Sequence, residues 1–148
     1  MSHNRVQAGR QLPEAYQKLA ELGEIVDSVI DREVHELVKL RASYLNGCAF
    51  CVDMHSNDAL KGGESQQRLF LVATWREAGD HFTESERAVL ALVDEVTKLG
   101  EHGVADATYD EVARHFSERE IATLLMAIGL INVYNRLAVS TRMTPPKR

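Results

Sequence analysis

The stretch ELVKLRASYLNGCAFCVDMH, residues 36 to 55, decides how this chain folds and where its chemistry can sit. It holds both cysteines of the chain, Cys48 and Cys51, as a Cys-x-x-Cys pair, with His55 four residues after the second. Ile30, Val34, Leu37, Val38 and Leu45 recur at helical spacing, which predicts one helix with an apolar stripe. Asn46–Gly47 is a natural stop for it. A second, short helix is expected to start near the cysteines and end at Gly62–Gly63.

Taken alone, the pair has three meanings: a redox dithiol, part of a metal site, or two core cysteines. A helix start favours ionisation, because its exposed N–H groups and macrodipole stabilise a thiolate. His55 lies one helical turn beyond Cys51 and so on the same face, where an imidazole can take the thiol proton. Phe50 and Asp53 are expected to point elsewhere, Asp53 to solvent, since a carboxylate near the thiols would oppose ionisation.

The preceding helix can supply a third member. If the chain reverses at Asn46–Gly47 and the two helices pack antiparallel, Glu36 lies about 13 Å below the reversal and His55 about 10 Å below it. The two side chains are then nearly level, with Cys51 one turn nearer the reversal. This gives a relay from Glu36 through His55 to Cys51, with Cys48 as second sulfur and Ser43 and Tyr44 close by. The other histidines, His3, His35, His81, His102 and His115, read as surface or capping residues. His35 is adjacent to Glu36, about 100° around the helix, and is expected to face away.

Outward from this core the pattern stays helical. Thr83-x-x-Glu86, Thr108-x-x-Glu111 and Ser117-x-x-Glu120 are capping-box patterns that mark three helix starts. A further helix is expected from about Ser65 to Ala78, with Trp75 in the core. The helix from Ser117 to about Val139 is apolar on most of its circumference between Leu124 and Ile131, as in a helix either central in the core or shared with another subunit. Arg41 and Arg136 read as salt-bridge or interface residues, and Asn132 and Asn135 as part of the same transition from core to interface. No strand alternation occurs. The expectation is a single all-α domain over residues 1–148, a bundle of about seven helices, with a disordered tail at 144–148.

Composition narrows the function classes. The chain of 148 residues is 45% hydrophobic and 26% charged, with a net charge of −5 and no Lys/Arg run. That argues against nucleic acid as the main partner. Met1–Gln11 contains no apolar leader segment, and the uninterrupted apolar stretch at 124–131 is short for a bilayer. A cytoplasmic protein with no membrane partner is expected, and there close cysteine pairs are more often catalytic or metal-binding than structural.

The run ELVKLRASYLNGCAFCVDMHSNDALKGGE with FTESERAVLALVDEVTKL resembles the alkylhydroperoxidase D-like branch of the carboxymuconolactone decarboxylase family, and INVYNRLAV at 131–139 resembles the family's last helix. The resemblance implies an all-α fold in homo-oligomers, commonly trimers or hexamers, and a thiol-dependent peroxidase without cofactor or metal. It implies Cys51 as the sulfur that attacks a hydroperoxide, Cys48 as the resolving sulfur, and Glu36 and His55 as the proton relay. An external dithiol, a lipoylated or thioredoxin-like protein, would be the reductant. Phe50 stands where alkylhydroperoxidase D carries a second histidine. The lactone-decarboxylase branch lacks this dithiol, which points away from decarboxylation. The alternatives are a zinc site built from the two thiolates, an imidazole and a carboxylate, and a non-catalytic helical oligomer.

Overall fold

The computed structural model describes residues 5–148. His3 lies outside them. Eight α-helices run in chain order among the described residues: α1 (Ala8–Gln11), α2 (Pro13–Asp27), α3 (Arg32–Leu45), α4 (Ala49–Lys61), α5 (Gln66–Leu71), α6 (Glu84–Thr97), α7 (Asp106–His115) and α8 (Glu118–Thr141). The fold is all-α, as the periodicity predicts, with one more short helix at the N-terminal end.

Helix α3 is the hub and packs against α4, α6 and α8, with α2 laid across α8. Its stripe faces two apolar clusters. Val38 and Ala42 meet Val89, Leu92, Leu124 and Ile128 on one side, while Leu37 and Leu40 meet Leu69, Val72, Trp75 and Phe82 on the other. Fully burying one such side chain stabilises the fold by roughly 1.5–3 kcal/mol, so the α3–α6–α8 contact dominates. Helix α8 alone among the described residues is long and apolar enough to cross a membrane by length and composition. Here its Leu124, Ile128 and Ile131 are buried in the core.

Two of the three capping boxes form. Thr83 with Glu86 caps α6 and Ser117 with Glu120 caps α8, each pair bonding the other's backbone. The third does not: Ala105 is the N-cap of α7 and Thr108 lies inside the helix. Glu95 on α6 accounts for the difference. Its carboxylate accepts both the Ala105 N–H (2.7 Å) and the Thr108 hydroxyl (2.5 Å), so a tertiary partner does the capping. Glu111 pairs instead with Arg114 and His115. The helix expected over Ser65–Ala78 also divides: α5 ends at Leu71, and a 3₁₀ segment Val72–Glu77 follows, bent at Thr74. Trp75 is buried there with Nε1–H donating to Asp94, which also receives Arg41. Arg41 is thus a half-buried ion-pair residue, whereas Arg136 bonds only Asn132 among the described residues.

Candidate active site

The site begins at the reversal between α3 and α4. Gly47 has φ +64°, the left-handed region that glycine enters without Cβ strain. The Cys48 N–H bonds back to Ser43 O (2.9 Å) and Gly47 N–H to Tyr44 O (3.2 Å), the paired bonds that close a helix before a left-handed residue. A buried polar web holds this corner against α8. Asn135, fully buried, donates to Ser43 Oγ (3.0 Å), while Asn46 donates to Asn132 and Asn135. These asparagines hold the corner against α8.

Cys48 then occupies the N-cap of α4, and the Cys51 N–H donates to its sulfur (3.3 Å). Cys48 and Cys51 form a disulfide, with Cα atoms 5.3 Å apart. Both are buried beside Ala138 of α8. Their geometry differs in one respect: Cys51 lines a cavity between the helices and Cys48 does not.

That cavity encloses about 440 Å³ between α2, α3, α4 and α8. Its wall is mostly apolar, with Tyr16, Leu19, Phe50, Met54 and Leu130 among the lining residues. Into it also project Cys51, His55, His35 and Lys39. Two expectations are corrected here. Phe50 does not point elsewhere; it packs on the cysteines and lines the cavity. His35 does not face away either. Helix α3 has neighbours on most of its circumference, so a side chain 100° from Glu36 meets α2 rather than solvent, and His35 is bonded to Asp27 there. Asp53 carries a half-exposed pairing with Arg148 (2.6 Å) from the tail, and Tyr44 packs into the second apolar cluster.

Glu36 and His55 are brought together. Glu36 Oε2 lies 3.8 Å from His55 Nδ1, and both atoms are buried without a hydrogen-bond partner. At that distance the pair is close enough for charge attraction and too far for a hydrogen bond. Lys39 occupies the other carboxylate oxygen, Oε1, at 2.8 Å. Burial, then the Lys39 ammonium, then His35 push His55 down to about 3, so its imidazole is neutral while the disulfide is closed. Glu36 is not part of the cavity wall; His55 stands between it and the cavity. Among the described residues, no group of three or more His, Cys, Asp or Glu side chains is arranged to hold a metal ion.

Residues 13–95, more than half of the chain, match the carboxymuconolactone decarboxylase family. The chain belongs to that family. Among its relatives, the uncharacterized Bacillus subtilis protein YdfG is 39% identical over 113 residues, 76% of each chain. The crystal structure of an Agrobacterium tumefaciens protein of unknown function, suggested to be the antioxidant defence protein AhpD, is 42% identical and superposes with TM-score 0.90 over 99% of this chain and 100% of that one. The debrominase Bmp8 shares the fold, with TM-score 0.78 at 19% identity over 89% of this chain and 71% of its own. The fold is therefore the alkylhydroperoxidase D-like form of the carboxymuconolactone decarboxylase family.

Proposed function

We propose that this protein is a thiol-dependent peroxidase that reduces hydroperoxides through the Cys48–Cys51 pair and is recycled by an external dithiol. One observation carries the reading: of two sulfurs joined at a helix start, Cys51 opens onto an apolar cavity that also holds a neutral imidazole, His55, backed by a buried carboxylate, Glu36.

In the reduced protein a Cys51 thiolate places a negative charge beside the ring and raises its proton affinity above that of the disulfide form. His55 therefore takes the Cys51 proton, and the Glu36 carboxylate stabilises the imidazolium. The thiolate attacks the terminal oxygen of the hydroperoxide. An S–O bond forms, the O–O bond breaks, and the alkoxide leaves with the proton from His55. Sulfur is oxidised by two electrons to a sulfenic acid, and the hydroperoxide becomes an alcohol. The Cys48 thiol then displaces water from that sulfenic acid and closes the disulfide. An external dithiol, lipoylated or thioredoxin-like, returns two electrons and two protons. The sulfur nearest the cavity is thus the attacking one, and the N-cap sulfur resolves.

The test is a steady-state assay with hydroperoxide and a panel of dithiol donors, run on wild type and Cys51→Ser. Turnover that is lost in the variant supports the reading; a wild type that turns over with no donor in the panel and consumes no peroxide sinks it. Assembly belongs to the proposal as well. Met126 and Val133, seven residues apart on α8, are exposed apolar side chains, and a homo-oligomer, a trimer or hexamer, would cover them. Light scattering coupled to size exclusion decides this, a monomer at working concentration being the contrary result.

A further inference from the structure

A second imidazole lies in the cavity wall, and the reaction above leaves it without a role. His35 is 5% exposed and lines the cavity together with Cys51 and His55. Its Nδ1 is 2.6 Å from Asp27 Oδ1. An ionised carboxylate only accepts, so Nδ1 carries the hydrogen and Nε2 is left as a lone-pair acceptor. Nε2 has no hydrogen-bond partner among the described residues, and unlike His55 Nδ1 it is not sealed from the cavity space.

The charged groups around the ring act in opposite directions. Burial and then the Lys39 ammonium push His35 below the ordinary histidine value, while Asp27 and Glu36 pull it up, and the net shift is downward. His55 is neutral beside it. His35 is therefore uncharged at neutral pH, which keeps Nε2 an acceptor. The Tyr16 and Tyr134 hydroxyls can turn to donate or accept, but their rings serve as apolar wall, meeting edge to face at 6.0 Å. Lys39 is occupied by Glu36. Among the described lining residues, His35 Nε2 is an acceptor whose polarity a neighbouring carboxylate fixes; the Asp27 carboxylate lines the cavity too, with Oδ1 taken by the ring.

We infer that His35 Nε2 receives the O–H of the bound hydroperoxide and turns its terminal oxygen toward Cys51, with Asp27 as the positioning residue that holds the ring in its acceptor tautomer. This rests on the peroxidase reading and names what that site recognises: an apolar molecule ending in a hydroxyl-type donor. Dialkyl peroxides, which lack that hydrogen, are excluded as good substrates.

The experiment needs no turnover. Oxidised wild-type protein is titrated with 2-phenylpropan-2-ol and with its methyl ether, followed by NMR. The alcohol is expected to bind about 3- to 10-fold more tightly, the worth of one neutral hydrogen bond. His35→Phe removes the preference and raises KM for hydroperoxide by about the same factor. Asp27→Asn, a change at a largely exposed carboxylate that leaves the fold intact, frees the tautomer and weakens the preference. Equal binding of the two probes, no binding of either, a preference that survives His35→Phe, or 15N shifts placing the hydrogen on Nε2 would each overturn the assignment. Peroxide turnover without the alcohol preference removes His35 alone. The preference without any peroxide consumption removes the peroxidase reading and keeps the acceptor.

Discussion

Replacing Glu36 with glutamine tests how much the buried carboxylate does for the thiol. At 3.8 Å, two unit charges at an effective dielectric constant of about 20 attract by roughly 4 kcal/mol. That is an upper limit, because the Lys39 ammonium sits 2.8 Å from the same carboxylate and cancels much of its field. A net of about 1–2 kcal/mol is left for the imidazolium that forms when Cys51 ionises, or roughly 5- to 30-fold in thiolate population. Glutamine keeps the shape and removes the charge, and Lys39 is near enough to the surface to be solvated by water. The assay is the rate of iodoacetamide alkylation of reduced Cys51 as a function of pH. Glu36→Gln is expected to raise the apparent pKa of Cys51 by about one unit and to lower the neutral-pH rate by about tenfold. A variant with the wild-type rate and pH profile would refute the relay, whatever its overall activity.

Four further outcomes follow from the same geometry. Cys48→Ser should consume one equivalent of hydroperoxide and then stop as a sulfenic acid that dimedone traps, since the resolving thiol is gone; catalytic turnover with dithiol in that variant contradicts the assignment. Folded His55 refuses its proton until about pH 3, whereas the unfolded chain takes it near 6.5. The unfolded state binds more protons between those values, so stability should fall as pH drops through them, by up to about 1.4 kcal/mol per pH unit from this group. Urea melts of wild type and His55→Leu across that range show it, a slope unchanged in the variant being the contrary result. Gly47→Ala meets nothing within 4 Å of the new Cβ, so its cost is the left-handed backbone alone, about 1–2 kcal/mol by thermal melt; a neutral effect would mean that the corner relaxes. Asp94→Ala strips the half-buried Arg41 guanidinium and Trp75 Nε1–H of their carboxylate and should cost about 2 kcal/mol, or roughly 4–8 °C in Tm; a loss under about 0.5 kcal/mol would show that water replaces the carboxylate.

The elements readable from sequence are those whose cause is local. The α3 stripe, the Asn46–Gly47 stop and the Thr83 and Ser117 boxes depend on residues within a few positions of one another, and the structure has each of them, except that α3 starts at Arg32 and leaves Ile30 of the stripe in the preceding bend. The approach of Glu36 to His55 follows from two helix lengths and one reversal, so counting residues was enough to bring them level. What was not readable is set by distant partners. Glu95 captures Thr108 from another helix and shifts the start of α7. The direction of His35 depends on α2, whose Asp27 nothing in the 36–55 stretch announces. The cavity itself is made when Tyr16 and Leu19 of α2 close over α4 and α8, and a mixed apolar–polar N-terminal helix gives no local sign of that. Phe50 follows the same rule: between two cysteines at a helix start, its side chain turns inward because the cavity offers it apolar contact.

The central claim is that Cys51, from the wall of this cavity, reduces a hydroperoxide. Its most direct test is a donor-free, stoichiometric reaction of the reduced protein with an organic hydroperoxide, followed by mass spectrometry. The account predicts consumption of one equivalent per chain, release of the matching alcohol and closure of the Cys48–Cys51 disulfide, all absent in Cys51→Ser. Reduced wild-type protein that leaves the hydroperoxide intact, or whose disulfide closes equally fast without it, would contradict the account.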